Sequence, residues 1–189
     1  LTQPEPSYHG LVYTDAFGPA AFAMKCRTQG LRDLGCTMAP FNAFLTMQGL
    51  QTLHLRMERH SKNALALAEF LQKHPKVDWV VYPGLKGDKY YDLAQKYLPN
   101  GQSGVLSFGI KGGAKAGEKF LRSIQLISMV VHVGDIRTCV LHPASSTHRQ
   151  LSAEEQAAAN IKPEAIRLST GLEDIQDLIE DLDAALNKA

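Results

Sequence analysis

The sequence Ala165-Ile-Arg-Leu-Ser-Thr-Gly-Leu-Glu-Asp174 decides the fold prediction, because it is typical of a strand that turns directly into a helix. Side chains alternate between the faces of a strand, so Ile166 and Leu168 point one way and Arg167 points the other. Gly171 permits a sharp turn, and the acidic residues after it suit the positive end of a helix dipole. The segment therefore predicts one guanidinium on the polar face of a strand whose other face is buried.

Arg167 has two interpretations on this evidence. Its guanidinium is a fixed, permanently charged fork of donors, which suits the capture of a carboxylate or a phosphate. The same side chain would also fit a surface salt bridge at the rim of the sheet. The segment alone supports both equally.

Outward from this strand, the sequence is an alternation of short strands and helices. Pro40 starts a clear helix, with Gly49 as a local break, and a second helical stretch follows with apolar residues at core-facing spacing up to His74. Strands are predicted over 77–82, 104–110 and 165–170, with further apolar, β-branched segments at 127–133 and 138–141; helices are predicted over 90–97, 114–122, 152–159 and from 173 onward.

This order predicts an α/β (α+β) fold with a mostly antiparallel sheet of four or five strands and helices on one side, preceded by a long linking helix. Residues 1–55 are interpreted as the tail of a larger unit together with the linking helix, and residues 56–189 as a domain of their own. The chain starts at Leu1 and opens on a polar, Pro-punctuated loop, so we expect a fragment of a longer protein.

Composition excludes several classes of protein. The chain has 189 residues and a net charge of +1, which gives no electrostatic case for binding nucleic acid or a membrane surface. No apolar run is long enough to span a bilayer. Three cysteines without a CxxC pair favour a reducing cytoplasm, and the seven histidines form no HExxH-type pair, so no metal site is predicted.

Three further segments invite functional interpretations. Gly112–Lys119 lacks the Lys and hydroxyl residue of a phosphate loop and is read as a turn before a helix. His142–His148 gathers three hydroxyls and two imidazoles in a loop that would either line a polar site or form an ordinary satisfied turn. Asp135 and Arg137 are expected to pair with each other across a tight connection. No complete catalytic set emerges, and no catalytic residue is assigned in this chain.

The residues also match a known family. The chain resembles the Cys/Met-metabolism family of pyridoxal-phosphate enzymes, and the resemblance rests on ordered motifs along almost its whole length. These are Pro40–His60, Asn63-Ala64, His74–Val77, Tyr82–Leu85, Ser103–Phe108, Val133–Asp135, His142–His148 and Ile166–Glu173. Within that family, Ser7–Gly10, Asn42 and Gln48–Leu50 are most similar to the O-acetylhomoserine sulfhydrylases.

The resemblance implies a fold-type-I transferase in which this chain supplies the end of the large cofactor domain and the C-terminal small domain. It implies a tetrameric homo-oligomer that converts O-acetylhomoserine and sulfide or methanethiol to homocysteine or methionine by γ-replacement, with pyridoxal 5'-phosphate as cofactor. Arg167 then corresponds to the family's arginine that binds the α-carboxylate of the amino-acid substrate. At a position where the family often has Ser or Asn near the substrate or cofactor, this chain has His132.

The family's Schiff-base lysine, the Asp that pairs with the pyridinium nitrogen and the Gly-rich phosphate segment all precede the matched stretch. We therefore expect this chain to bind no cofactor covalently and to be inactive by itself, with its cofactor-binding residues unassigned. The alternative is a stand-alone module that binds an amino acid or mediates oligomerisation without catalysis.

Overall fold

The computed structural model describes the whole chain, Leu1–Ala189, as two compact units, Leu1–Gln51 and Thr52–Ala189. The interpretation of residues 1–55 as the tail of a larger unit, and of residues 56–189 as a domain of their own, stays a prediction. None of the helices combines the length and the apolarity needed to cross a lipid bilayer. All three cysteines are free thiols.

The first unit is built from short helical segments. They are α1 (Tyr13–Phe17), α2 (Ala21–Lys25), α3 (Arg32–Leu34) and α4 (Pro40–Gln51), with 3-10 turns at Pro6–Tyr8 and Gly18–Ala20 and a π-helical stretch at Cys26–Leu31. Glu5 forms an ion pair with Lys25 at 2.9 Å, which lowers the pKa of the Glu5 carboxyl to about 2. Gly49, expected to break the helix, lies inside α4, which continues to Gln51, so that prediction was wrong.

The second unit alternates helices and strands as predicted. Its elements are α5 (Leu53–Lys73), β1 (Val77–Val81), α6 (Tyr91–Tyr97), β2 (Val105–Ile110), α7 (Gly113–Ser123), β3 (Cys139–Leu141), a 3-10 turn (Pro143–Ser145), α8 (Ala153–Ala158), β4 (Ala165–Ser169) and α9 (Ile175–Lys188). Ser152 starts α8 with a capping box formed with Glu155, and Asp174 caps α9 by accepting from the backbone N–H of Gln176.

The four strands form one antiparallel sheet in the order β1-β2-β4-β3, which confirms the predicted sheet type. One face of the sheet is buried under helices. Its core side chains are fully or almost fully buried: Leu67, Leu71, Leu106, Phe108, Ile110, Phe120, Val140, Ile166, Leu168, Leu178, Leu182 and Leu186. The rings of Phe108 and Phe120 meet edge to face across this layer, with their centroids 5.9 Å apart. The opposite face is more open, and Val81 on it is 50% exposed.

The segment 127–133, one of the two apolar segments expected to extend the sheet, is not a strand. Only Ser128 bridges to Cys139, while Met129, Val131 and Val133 are 65%, 55% and 62% exposed. The segment departs from a strand at its first residue, because the buried carboxylate of Asp181 accepts hydrogen bonds from three consecutive backbone N–H groups, those of residues 125–127. Those amides are therefore directed at α9 and are not available to a neighbouring strand.

The glycine-rich segment before α7 is an ordinary turn, as predicted. Gly112 and Gly113 have φ of +104° and +68°, a region that glycine enters without steric cost. The helix they introduce buries Gly117 and Phe120.

Candidate substrate-binding site

Strand β4 places Arg167 on the face of the sheet opposite the core. Its neighbours Ile166 and Leu168 are fully buried in the core, so the alternation predicted for this strand is confirmed. Arg167 lies between Ser107 of β2 and Leu141 of β3 in the register of the sheet. It stands therefore on a central strand rather than on an edge.

The guanidinium of Arg167 has no acidic partner in the chain. No carboxylate of the chain lies within ion-pair distance of it, so the salt-bridge interpretation finds no partner here. Its Nη2 donates one hydrogen bond, 2.7 Å long, to the backbone carbonyl of Val131. The other N–H groups of the fork remain able to bind a ligand.

Arg167 lines a concavity of about 650 Å³ on this face. The wall also carries Ser107, Thr147, His148 and Lys162, and no Asp or Glu lines it. A concavity that has cations and hydroxyls but no carboxylate favours an anionic ligand. A second concavity of about 190 Å³ lies at the end of β4, where Ser169 and Thr170 meet residues of the 133–134 turn.

The His142–His148 loop divides into two parts. His142 is fully buried; its Nε2 donates to the carbonyl of Pro163 at 2.6 Å and its Nδ1 accepts from the hydroxyl of Ser145 at 2.7 Å. Both ring nitrogens are thus used inside the fold, which is the satisfied-turn interpretation. Thr147 and His148 line the same concavity as Arg167, which is the polar-site interpretation.

The residues that follow Arg167 tie β4 to the loop between Val131 and Thr138. The hydroxyl of Ser169 accepts from the N–H of Gly134 at 3.3 Å. The Glu173 carboxylate accepts from the backbone N–H and the hydroxyl of Thr138, at 2.6 Å and 2.7 Å. Because the carbonyl of Val131 holds the guanidinium, these contacts also position Arg167.

Gly171 is required by this close approach. A Cβ there would collide with the carbonyl of Ile136, and the N–H of Gly171 donates to the Thr138 hydroxyl at 2.8 Å. On the other side of the turn, helix α5 holds the chain: Nδ1 of the buried His60 donates to the carbonyl of Thr170 at 2.6 Å. Residues 169–173 therefore form a structural clamp, which ties the end of β4 to the loop 131–138.

Asp135 and Arg137 pair within the 131–138 loop, as predicted, at 2.9 Å. The hydrogen bonds from Arg137 hold the pKa of the Asp135 carboxyl well below its usual range. His132 Nδ1 lies 3.1 Å from Oδ2 of this carboxylate, the oxygen that also accepts from Nη2 of Arg137. Burial raises the pKa of the nearby Cys139 thiol. Ligand atoms of His132, Asp135 and Cys139 lie within 4.8 Å of one another, but the guanidinium already occupies the carboxylate, so we assign no metal centre.

Sequence reasoning missed the contact of His132 with Asp135 and the roles of Glu173 and the Val131 carbonyl. The spacing of Asp135 and Arg137 in a tight turn identified only their own pairing. Nothing in the sequence pattern connects Thr138 with Glu173, because the contact joins residues 35 positions apart.

Comparison with known proteins places this arrangement in a family. The profile of the Cys/Met metabolism PLP-dependent enzymes matches residues 9–187, almost the whole chain. The chain belongs to this family.

Individual relatives agree with the profile of the Cys/Met metabolism family. The chain is 50% identical over 195 residues to the O-acetyl-L-homoserine sulfhydrylase of Leptospira meyeri and 51% identical over 189 residues to the homocysteine synthase of Schizosaccharomyces pombe. These alignments cover 98% and 100% of this chain, and 44% of each relative. The chain thus spans less than half the length of the curated relatives it matches.

A solved structure of the same family has the same fold. It is a protein of Campylobacter jejuni described as an O-acetylhomoserine (thiol)-lyase, and it carries N'-pyridoxyl-lysine-5'-monophosphate. It is 42% identical to this chain with a TM-score of 0.86, and the match covers 98% of this chain and 44% of that one. The C-terminal small-domain architecture predicted for a fold-type-I transferase agrees with this likeness.

The residues of this chain do not assemble a pyridoxal-phosphate site among themselves. Every lysine is exposed except the half-buried Lys25, which is paired with Glu5. Of the lysines that line the Arg167 concavity, Lys89 lies over the ring of Tyr90 and Lys162 over the ring of Trp79, with each Nζ 4.6 Å from the ring centroid. Neither is buried beside a carboxylate or a phosphate cradle, so we derive no step through the cofactor.

Proposed function

We propose that the chain is the C-terminal part of a PLP-dependent O-acetylhomoserine sulfhydrylase. The complete enzyme exchanges the acetate of O-acetylhomoserine for sulfide or methanethiol and releases homocysteine or methionine. In this proposal residues 1–55 are the tail of the large cofactor domain with the linking helix, and residues 56–189 are the small domain. The names of the relatives and the 44% of their length that the chain covers support it.

Within that enzyme, Arg167 is the anchor for the α-carboxylate of the amino-acid substrate. The observation that carries this assignment is a guanidinium on a central strand, without an acidic partner, in a concavity that no carboxylate lines. A carboxylate accepts two parallel N–H bonds from a guanidinium, and the hydrogen bond to Val131 fixes one side of the fork for that purpose.

The assignment is tested by Arg167→Lys in the complete enzyme, with Arg122→Lys as the control, since Arg122 is an exposed arginine of α7. Lysine keeps the charge but loses the two-point geometry. A hydrogen bond to a charged group contributes about 1.5–3 kcal/mol, so the KM for the amino-acid substrate rises by roughly 10- to 150-fold. The cofactor absorbance stays as in the wild type. An unchanged KM refutes the carboxylate role.

The chain by itself forms no imine with pyridoxal phosphate in this proposal. The cofactor is the electron sink of such enzymes and is held by a lysine. An imine absorbance that appears when this chain is mixed with the cofactor, is fixed by borohydride and maps to one of its own lysines would contradict this.

The upstream coding sequence separates the enzyme from a stand-alone binding module. A preceding domain with a lysine in the family's Ser-x-x-Lys context supports the enzyme. A start codon near Leu1 supports a module that binds amino acids or mediates oligomerisation.

We also propose a cytoplasmic location and a homotetrameric complete enzyme. Three free thiols without a disulfide fit a reducing compartment. No residue of α4 is buried, and its Phe41, Phe44 and Leu45 are 67%, 53% and 52% exposed. An apolar surface of this kind supports contact with further protein.

A further inference from the structure

His132 and Asp135 form a carboxylate–imidazole pair on the loop that holds Arg167. Nδ1 of His132 lies 3.1 Å from a carboxylate oxygen of Asp135. The loop that carries the pair also holds the candidate anchor, because the residue before His132, Val131, accepts the hydrogen bond from the Arg167 guanidinium. The clamp between β4 and this loop keeps the pair and the anchor together.

The chemistry of the pair is determined by Arg137. Three hydrogen bonds from its backbone and guanidinium reach the Asp135 carboxylate, which is therefore ionised and can only accept. Nδ1 of His132 must then donate, which leaves the lone pair of the neutral imidazole on Nε2. Nε2 has no partner in the chain, and the side chain of His132 is 54% exposed.

Other histidines of the chain differ from this arrangement. His142 is buried with both nitrogens used, and Nδ1 of the buried His60 donates to a backbone carbonyl. His74 lies beside Asp183, but it is buried and its Nδ1 accepts from a backbone N–H. His148 lines the Arg167 concavity, but its partner is the hydroxyl of Thr147. His132 thus combines a carboxylate partner with an open nitrogen on the loop that holds Arg167.

We propose that His132, oriented by Asp135, is the base that takes the proton of the incoming thiol at the site anchored by Arg167. The S–H bond breaks with its electron pair left on sulfur, an N–H bond forms at Nε2, and the imidazole becomes the imidazolium. The proposal rests on the proposed function, which supplies the sulfur nucleophile. A base is needed because the thiolate is the nucleophile, and a thiol as weakly acidic as that of cysteine, whose pKa is about 8.5, is mostly protonated at neutral pH.

Several charged or titratable groups lie around the loop that carries His132 and share its electrostatic environment. They are Asp135 and Arg137 of its own loop, the thiol of Cys139 on β3, and Arg167 on β4. His132→Asn retains a donor for Asp135 but has no basic nitrogen. His54→Asn is the matched control, since His54 is an exposed histidine of α5.

In the complete, cofactor-loaded enzyme, we expect His132→Asn to lower kcat/KM for the thiol by roughly 100-fold at neutral pH, the lower range for general base catalysis. The loss shrinks as the pH rises above the pKa of the thiol, because the nucleophile is then already ionised. KM for the amino-acid substrate and the cofactor absorbance stay at their wild-type values, and His54→Asn changes nothing.

An unchanged kcat/KM in His132→Asn, or a loss of the same size at every pH, overturns the proposal. A wild-type enzyme that catalyses no replacement with any thiol overturns the proposed function together with this inference. Imidazole nitrogen NMR of the 189-residue chain provides a readout without activity: the proton of neutral His132 should reside on Nδ1, and an Nε2–H tautomer contradicts the proposal.

Discussion

Replacing Glu173 by alanine tests the clamp between β4 and the loop 131–138, whose Val131 carbonyl accepts from Arg167. The change removes two short hydrogen bonds from Thr138, of 2.6 Å and 2.7 Å. Thr138 is fully buried, so its backbone N–H is left without an acceptor and without water. An orphaned buried donor costs about 1–3 kcal/mol, and a hydrogen bond to a charged group is worth about 1.5–3 kcal/mol. Because Glu173 is only partly buried, we expect a loss of about 3 kcal/mol in the free energy of unfolding.

Urea denaturation of the 189-residue chain measures this loss. With a slope of about 2 kcal/mol per molar urea, the midpoint falls by about 1.5 M. Glu173→Gln keeps one carbonyl acceptor for the N–H of Thr138 and should lose about half as much. Glu154→Ala, at an exposed position in the first turn of α8, is the control and should stay within about 0.5 kcal/mol of the wild type. A midpoint shift in Glu173→Ala no larger than that of the control refutes the clamp.

Three further predictions concern other parts of the chain. Burial raises the pKa of Tyr82 to about 12, because the buried site favours the neutral phenol. The stability that the neutral phenol contributes is complete below pH 10, the ordinary pKa of tyrosine, and is lost as the pH rises toward 12. Tyr82→Phe should therefore flatten the alkaline limb of a stability–pH curve followed by circular dichroism. Gly171→Ala should destabilise the chain by roughly 1–3 kcal/mol in thermal unfolding, since its Cβ collides with backbone; a wild-type Tm would contradict the close approach. The chain should self-associate in sedimentation velocity, and Phe41→Glu with Phe44→Glu should weaken the association while Gln48→Glu does not.

The sequence predicted the elements of the second unit because local patterns specify them. Each of these patterns depends only on residues that are close together in the sequence. They are the alternation in β4, the capping box at Ser152 and the apolar stripe of α9. Antiparallel pairing also followed from the short strands and uneven connections. The predictions of these elements were correct because the tertiary contacts of the fold agree with the local patterns.

The site was predictable only in part, because its geometry depends on contacts between distant segments. An apolar, β-branched composition predicted a strand over 127–133, but the carboxylate of Asp181, 54 positions further along the chain, accepts from the amide of Ile127, the first residue of that segment. Likewise, Arg167 was identified as a cation on a polar face, whereas its partner at Val131 lies 36 positions earlier in the chain. No local pattern encodes either contact.

The segment that begins at Arg167 contains both a residue for ligand binding and residues that support it. Arg167 faces the open side of the sheet and is available to a ligand, while Gly171 and Glu173 face the loop that holds it. A substitution at Glu173 would therefore alter the position of the guanidinium without touching a substrate. In the complete enzyme such a variant should raise KM for the amino acid together with a loss of stability, whereas Arg167→Lys should raise KM at unchanged stability. Measuring both quantities in both variants separates the anchor from its support.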